Sequence, residues 1–353
     1  MTGAVLPTPF HTSTAMRNLA NAWMIRGSFT VPAHYGDPPQ EALAARFSVA
    51  MADMSATEDL LVDGPRAASF LATACSTPLA GMVVGTSRAV HWCAEGDGLR
   101  GYGHVSRLDD DKFLLRSADV DLAWFESAAP RFGVSLREAT RERGLLFLTG
   151  PFALPAMVAA GLEIGDLKED QHRNYDWRGL AVTIFRRARP SGYELSCGAQ
   201  DAILVFDRLV RHAPLLALRL MGEEGLQLLQ LEAGLPLVHA DFVPAREALA
   251  HEPSPQSLGF KGRPHGDDDA TRRVLAGIEW DGEQPAPFAP VFADGKEIGR
   301  TLRSLYSPAL KCAIALAQLD PEGAAVGTVV SMMRLESAGL MEITGRVVAL
   351  PFL

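Results

Sequence analysis

Residues 228–242 read LLQLEAGLPLVHADF. Leu228, Leu229, Leu231 and Leu235 recur at spacings that line one face of a helix, and Glu232 falls inside that apolar stretch with no lysine or arginine within one helical turn. A carboxylate set against a core costs free energy unless it finds hydrogen-bond donors. Backbone amides or a ligand must supply them, and the rest of the chain has to say which.

At 353 residues the chain exceeds what one hydrophobic core usually organises, so two or three subdomains are expected. Hydrophobic residues make up 48% and charged residues 21%, a globular composition that supports a core throughout. The net charge is −9, and no basic block is longer than the pair Arg186 and Arg187. This argues against a nucleic-acid or anionic-membrane surface and for a small-molecule partner. Cys75, Cys93, Cys197 and Cys312 are far apart and form no C-x-x-C pair, which reads as free thiols in a reducing compartment. No apolar run reaches the roughly 18 residues needed to span a bilayer. The first 23 residues lack a basic segment followed by an apolar one, so no secretory signal is read and a cytoplasmic location is expected.

Residues 1–40, rich in Thr, Pro, Ala and His, suggest a covering segment with little core of its own, and regular structure is expected from Glu41. TEDLLVDGPRAASFLATAC (57–75) then reads as a strand, a Gly-Pro turn and a helix opened by Pro65. Residues 89–118 hold two strand-like runs, a Gly-rich hairpin and a second, acidic turn, and an amphipathic helix follows. The order recurs: GLLFLTGPFALPAMVAAG (144–161) is again strand, Gly-Pro, helix, and residues 180–213 give two strands and a helix. Two copies of strand, helix, strand, strand, helix imply a pseudo-repeat. The expected fold class is α+β, with related lobes at 41–140 and 141–252 and a ligand site between them. Residues 253–270 read as a linker, and 271–353 alternate short strands with turns, as in a small antiparallel barrel or sandwich.

Other motifs carry little chemistry. His265, Asp267, Asp268 and Asp269 lie in a polar linker where consecutive carboxylates cannot all point inward, so a solvated loop is the better reading than a metal site. The glycines of GLRGYG lack the strand-to-helix context of a phosphate loop, and G-x-S-x-G is missing. Trp92 and Trp177 offer flat faces for an aromatic ligand or, as more commonly, for a core, and Tyr306 reads as a packing residue.

Five segments, taken in order, resemble the glycine-cleavage T-protein (aminomethyltransferase) superfamily over residues 40 to 335: ADMSATEDLLVDGPRAASFL, FLTGPFALPAM, SGYELSCGAQDAILVFDRL, LQLEAGLPLVHADF and the barrel-like stretch 290–330. The resemblance implies two lobes around a central channel, a C-terminal β-barrel, and tetrahydrofolate as the acceptor of one-carbon units. It places the helix that bears Glu232 at the border of that channel, so its carboxylate meets either a ligand or nearby backbone amides.

Three departures shape the functional expectation. The family's Asp pair in the early hairpin aligns with Gly101 and Tyr102 in GDGLRGYGHVSR, so the carboxylate that would steer an amine is absent. Arg100, Tyr102 and His104 alternate along this hairpin and share a face. If that face lines the channel, Arg100 would pair with a substrate carboxylate, and Tyr102 or His104 would donate a proton to a leaving oxygen. The alternative is a solvated hairpin face. In FRRARPSGYELS the stretch holding the family's pterin-binding glutamate is shortened, which leaves Tyr193 and Glu194 as cofactor-binding candidates, although Glu194 corresponds to a different family glutamate. Gln230 stands where many members have arginine and brings a hydrogen bond without charge.

The resemblance and its departures imply a tetrahydrofolate-dependent methyltransferase or demethylase whose small donor is carboxylated or aromatic rather than glycine. Trp92 and Arg100 would bind the donor, Tyr102 and His104 would act on it, and Tyr193, Glu194, Gln230 and Glu232 would hold the cofactor, with no metal. A folate-independent lyase or rearrangement enzyme on the same frame is the second reading. The third is a folate-binding accessory protein, against which stands the absence of a K-G-C-Y-x-G-Q motif.

Overall fold

The computed structural model describes residues 5–75, 77–93, 99–118, 120–211, 216–235, 274–336 and 339–353. The chain divides into two compact units, Met1–Val90 with Gly101–Gln227, and His91–Arg100 with Leu228–Leu353. The expected linker and its acidic run, together with residues 94–98 of the hairpin, lie outside the described residues.

Regular structure in the first unit begins well before Glu41. Strand β1 (Leu6–Pro7) runs parallel to β3 (Phe29–Pro32), which pairs with β2 (Trp23–Arg26), and α1 (His11–Ala15) lies between β1 and β2 in the chain. The expectation of a segment with little core is corrected: Phe10 is fully buried in the main core, and Phe29 and Val31 pack with Ala56. These strands are too short for alternation to stand out from the surrounding Thr and Pro. Helix α2 (Pro38–Phe47) follows, with the Asp37 side chain accepting from the Gln40 amide and proline in the first turn.

After β4 (Val49–Asp53) comes the repeat. Its first copy is β5 (Glu58–Asp63), α3 (Ala67–Ala74), β6 (Ser87–Cys93), β7 (Leu99–Asp109), β8 (Lys112–Ser117) and α4 (Leu122–Ala128), and β9 (Ser135–Glu138) completes a sheet of order β6-β7-β8-β5-β9. The second copy is β10 (Arg143–Thr149), α5 (Ala153–Ala159), β11 (His172–Asp176), β12 (Ala181–Arg187), β13 (Gly192–Gly198) and α6 (Ala202–Arg211). With β4 and β14 (Leu218–Met221) it forms a sheet of order β11-β12-β13-β10-β4-β14. The shared order β6-β7-β8-β5 and β11-β12-β13-β10 is the pseudo-repeat read from the sequence, with one strand more in each copy. Strand β11, HRNYD, has no apolar alternation to announce it. Both Gly-Pro turns sit where β5 and β10 pass into helices. At Gly150 (φ +106°) a Cβ would lie 2.5 Å from the Ser48 carbonyl oxygen, so only glycine fits.

Strand alternation gives the second sheet two different faces. Leu146 and Leu148, Val182 and Ile184, and Leu195 meet Met157, Val205, Phe206 and Leu209 of the helices in the main core. Phe185, Arg187, Glu194 and Ser196 alternate with these residues and occupy the opposite face, toward the first sheet.

Residues of the second unit form a closed antiparallel barrel, β15-β18-β17-β16-β19-β20, from β15 (Val274–Trp280), β16 (Pro290–Ala293), β17 (Lys296–Ser307), β18 (Cys312–Leu319), β19 (Val329–Glu336) and β20 (Gly339–Val348). Helix α7 (Glu223–Glu232) ends at the Leu-Glu-Ala-Gly motif, where Gly234 takes φ +71° and the Leu235 amide bonds the Gln230 carbonyl. Glu232 is buried. The Ser307 hydroxyl at the end of β17 donates to its Oε1 at 2.7 Å, and its own carbonyl accepts from the amides of Phe352 and Leu353. The Glu232 carboxylate therefore meets a barrel hydroxyl, and its backbone carbonyl anchors the C-terminal residues Phe352 and Leu353. Among the described residues no group of His, Cys, Asp or Glu is placed to hold a metal ion, and no helix is long and apolar enough to cross a membrane.

Candidate active site

The geometry of the first unit turns on one row of side chains. His104 on β7, Arg116 on β8 and Asp59 on β5 are register partners across three adjacent strands, so they project from one face as neighbours. Phe185 and Glu194 are register partners on the second sheet. Arg116 joins the two faces: its Nε and Nη2 donate to the two oxygens of Asp59 at 2.8 and 2.9 Å, and its Nη1 donates to Glu194 Oε2 at 2.6 Å. Arg187 grips Glu194 through Nε (2.9 Å) and Nη2 (2.8 Å), the bidentate fork suited to a carboxylate. Arg143 completes the cluster, donating from Nε to Asp59 and from Nη2 to the Thr57 carbonyl.

All five side chains are more than nine-tenths buried. Burial by itself would raise both carboxyls, but the guanidiniums override it and hold Asp59 and Glu194 below the usual carboxylate range. Arg116, paired with both carboxylates, sits above its ordinary value despite burial. Arg143 is pulled down by burial and by Arg116, which Asp59 offsets only in part. Three guanidiniums therefore share two carboxylates. Nη1 of Arg143 and Nη1 of Arg187 find no acceptor among the described residues.

This cluster partitions the space between the sheets. One step along the strands on one side lie Tyr102 and Arg187, and one step on the other lie Leu61, Leu114, Thr183 and Ser196. Tyr102 and His104 are half-buried, with rings edge-to-face at 5.8 Å, and His104 is near enough to Glu194 for its charge to help lower that carboxyl. Gly103 between them allows close pairing, since a Cβ there would lie 2.3 Å from the Arg116 carbonyl oxygen. The Ser117 hydroxyl fixes this part of β7 by donating to the Tyr102 carbonyl at 2.6 Å.

The other sequence candidates are distributed as follows. Arg100 belongs to β7, but its side chain lies outside the described residues. Tyr193 and Glu194 are consecutive on β13 and face opposite sides. Tyr193 is buried in the main core with the Arg186 guanidinium 4.4 Å over its ring, while both oxygens of Glu194 are engaged by arginines. Trp92 in the second unit and Trp177 in the first are fully buried, and the Trp177 indole N–H donates to the Ala160 carbonyl. Tyr306, read as a packing residue, is half exposed. Gln230 is half-buried, and its Oε1 has no partner among the described residues. Asp59, Arg116, Arg143 and Arg187 were not singled out from the sequence. Their one signal there is a charged residue inside an apolar strand, as in EDLLVD and KFLLRS.

Residues 14–251 match the GCVT N-terminal domain, and residues 273–353 match the glycine cleavage T-protein C-terminal barrel domain. The aminomethyltransferase of Thermus thermophilus is 29% identical over 308 residues, covering 84% of this chain and 86% of that protein. The aminomethyltransferase of Symbiobacterium thermophilum is 26% identical over 353 residues, covering 92% of each. The crystal structure of glycine cleavage system aminomethyltransferase T from Bartonella henselae shares the fold, with a TM-score of 0.85 at 22% identity over 99% of this chain and 98% of that one. With both family domains matched across nearly its whole length, this chain belongs to the glycine cleavage T-protein family.

Proposed function

We propose that the protein is a tetrahydrofolate-dependent one-carbon transferase that demethylates a small carboxylated or aromatic donor rather than acting on glycine. The observation that carries this reading is the pair Tyr102 and His104, half-buried on one face of β7, with Gly101 and Tyr102 at the positions where the resemblance aligns the family's Asp pair. A carboxylate would favour an ammonium substrate. A phenol and an imidazole beside a guanidinium-rich cluster favour an anionic or neutral one.

In the second unit Gln230 keeps a buried Oε1 without a donor among the described residues, an acceptor that would suit an amide or ring N–H. Glu194 fits a reduced folate less well, since the arginines already occupy its oxygens. When bound, the folate would supply the nitrogen that receives the methyl group. The protein's part is orientation and proton supply. As the methyl-to-heteroatom bond breaks, the departing heteroatom keeps the electron pair and takes a proton from His104 or Tyr102.

The test has two parts. Calorimetric titration with tetrahydrofolate, repeated with Gln230→Leu, reports cofactor binding, and the expected result is saturable binding weakened by the substitution. Methoxylated and methylated carboxylic acids are then offered with tetrahydrofolate while methylated folate is followed by mass spectrometry. Turnover is expected to fall in both Tyr102→Phe and His104→Ala. Turnover that both variants leave untouched refutes the assignment of these residues, and absence of folate binding brings the lyase reading forward.

A further inference from the structure

Beyond the charged cluster, on the side away from Tyr102, the facing sheets of the first unit leave a cleft of about 530 Å³. Its walls are apolar where β5, β8 and β12 contribute Leu61, Leu114, Ala181 and Phe185, and Arg116 and Arg143 also line it. We propose that this cleft binds a small monocarboxylate with an apolar body, whose carboxylate meets Arg143. The site is separate from the methyl-transfer reading and does not depend on it.

Three observations carry the proposal. The first is charge: three buried guanidiniums are ion-paired with only two carboxylates, and leaving one buried charge uncompensated is costly. Asp170 acts on Arg187, and the buried Asp53 on Arg143, electrostatically, but neither makes an ion pair with its arginine. One further carboxylate would bring the cluster to three against three. The second is geometry. Arg143 spends its Nε and Nη2 edge on Asp59 and the Thr57 carbonyl, which leaves both N–H groups of Nη1 without an acceptor among the described residues. Burial and the neighbouring Arg116 hold Arg143 below its ordinary value.

The third observation is the lining. Small-molecule sites typically set apolar contacts beside convergent polar groups, and here Leu61, Leu114 and Phe185 stand among a larger polar share that includes Arg116, Arg143 and Lys112. Glu142, which also lines the cleft, is occupied by Arg137, and Asp109 is exposed to solvent, so neither cancels the deep guanidinium. Leu61, Leu114 and Phe185 offer a hydrocarbon body contacts that inorganic phosphate cannot use.

The probes are benzoate, hexanoate and inorganic phosphate, titrated calorimetrically into the full-length protein. Benzoate or hexanoate is expected to bind saturably with one site per chain, and Ala181→Trp, which fills the mouth from an exposed position, should weaken it about tenfold or more. Val326→Trp, on an exposed turn of the second unit, should leave the affinity unchanged. Arg143→Lys should also weaken binding by removing the free Nη1 while keeping the charge. No saturable binding up to about 20 mM, affinity unaffected by Ala181→Trp, or phosphate bound more tightly than both carboxylates would overturn the proposal.

Discussion

Glu194→Gln removes one negative charge from the buried cluster at nearly constant volume. The wild-type carboxylate accepts from Arg116 at 2.6 Å and from Arg187 at 2.9 and 2.8 Å, with no solvent to replace either partner. Glutamine keeps a single acceptor oxygen, and its amide N–H₂ must face a guanidinium. Removal of one partner from a buried ion pair costs about 3–5 kcal/mol because the partner's charge is stranded. Here two guanidiniums lose their shared counter-ion, so the upper half of that range is expected. Against a typical total of about 5–15 kcal/mol the loss is large. Urea, being uncharged, is the suitable denaturant, with tryptophan fluorescence as the signal. At pH 7 the midpoint should fall with an unchanged slope, and added salt should change the difference little, since buried pairs are poorly screened. The sign with pH follows from linkage. The folded Glu194 carboxyl lies below its unfolded value of about 4.3, so its contribution is complete above that pH and is lost as pH falls through the acid range. The gap between wild type and variant should therefore close in acid. A loss below about 1 kcal/mol at pH 7, or a gap unchanged down to pH 3, would refute the assignment of Glu194 as the ionised hub of the cluster.

Four further outcomes are expected. Burial, helped by Arg187 and Arg116, pushes His172 down to about 4, and burial alone pushes His91 to about 4. The unfolded chain binds protons first, so both residues erode stability as pH falls from about 6.5 toward the folded values. His172→Phe, which keeps the 5.0 Å stack on Phe185, should flatten that slope in urea midpoints measured from pH 7.5 to 4.5. Gly103→Ala forces a Cβ against the Arg116 carbonyl and should cost about 1–3 kcal/mol or more in thermal melting, with Tyr102 and His104 displaced. Ser307→Ala removes the hydroxyl that donates to Glu232 and should cost about 1–3 kcal/mol, and a melting temperature equal to wild type would deny the Ser307–Glu232 bond a stabilising role. Asp37→Ala strips the α2 cap and should cost about 1 kcal/mol by the same measurement.

What was legible in the sequence was periodic or punctuated. The Gly-Pro turns after β5 and β10 mark equivalent points of the two copies, and the alternation of short strands with turns after residue 271 announces a small antiparallel barrel or sandwich, of which the resemblance implied the barrel. Strand β11 escaped because its residues are polar on both faces, and β1 to β3 escaped because they are too short to show a period. The alternation of Tyr102 and His104 along one strand was readable. Their closeness to Arg116 was not, because register partners come from different strands and spacing within one strand carries no information about pairing.

The charged cluster shows most plainly where local reading stops. Arg116 finds its two carboxylates 57 and 78 residues away, and Arg143 finds Asp59 at a separation of 84. No spacing rule for helix or strand reaches that far. Each of these residues nevertheless adjoins an apolar run of its strand, and burial of a charge without compensation is too costly to be common. A buried charge in such a strand therefore implies a countercharge elsewhere, and the useful quantity is the balance of such charges rather than their positions. The balance here is odd, with Arg116, Arg143 and Arg187 against Asp59 and Glu194. Folding brings all five together without making the count even, which is why a further anion is sought among ligands.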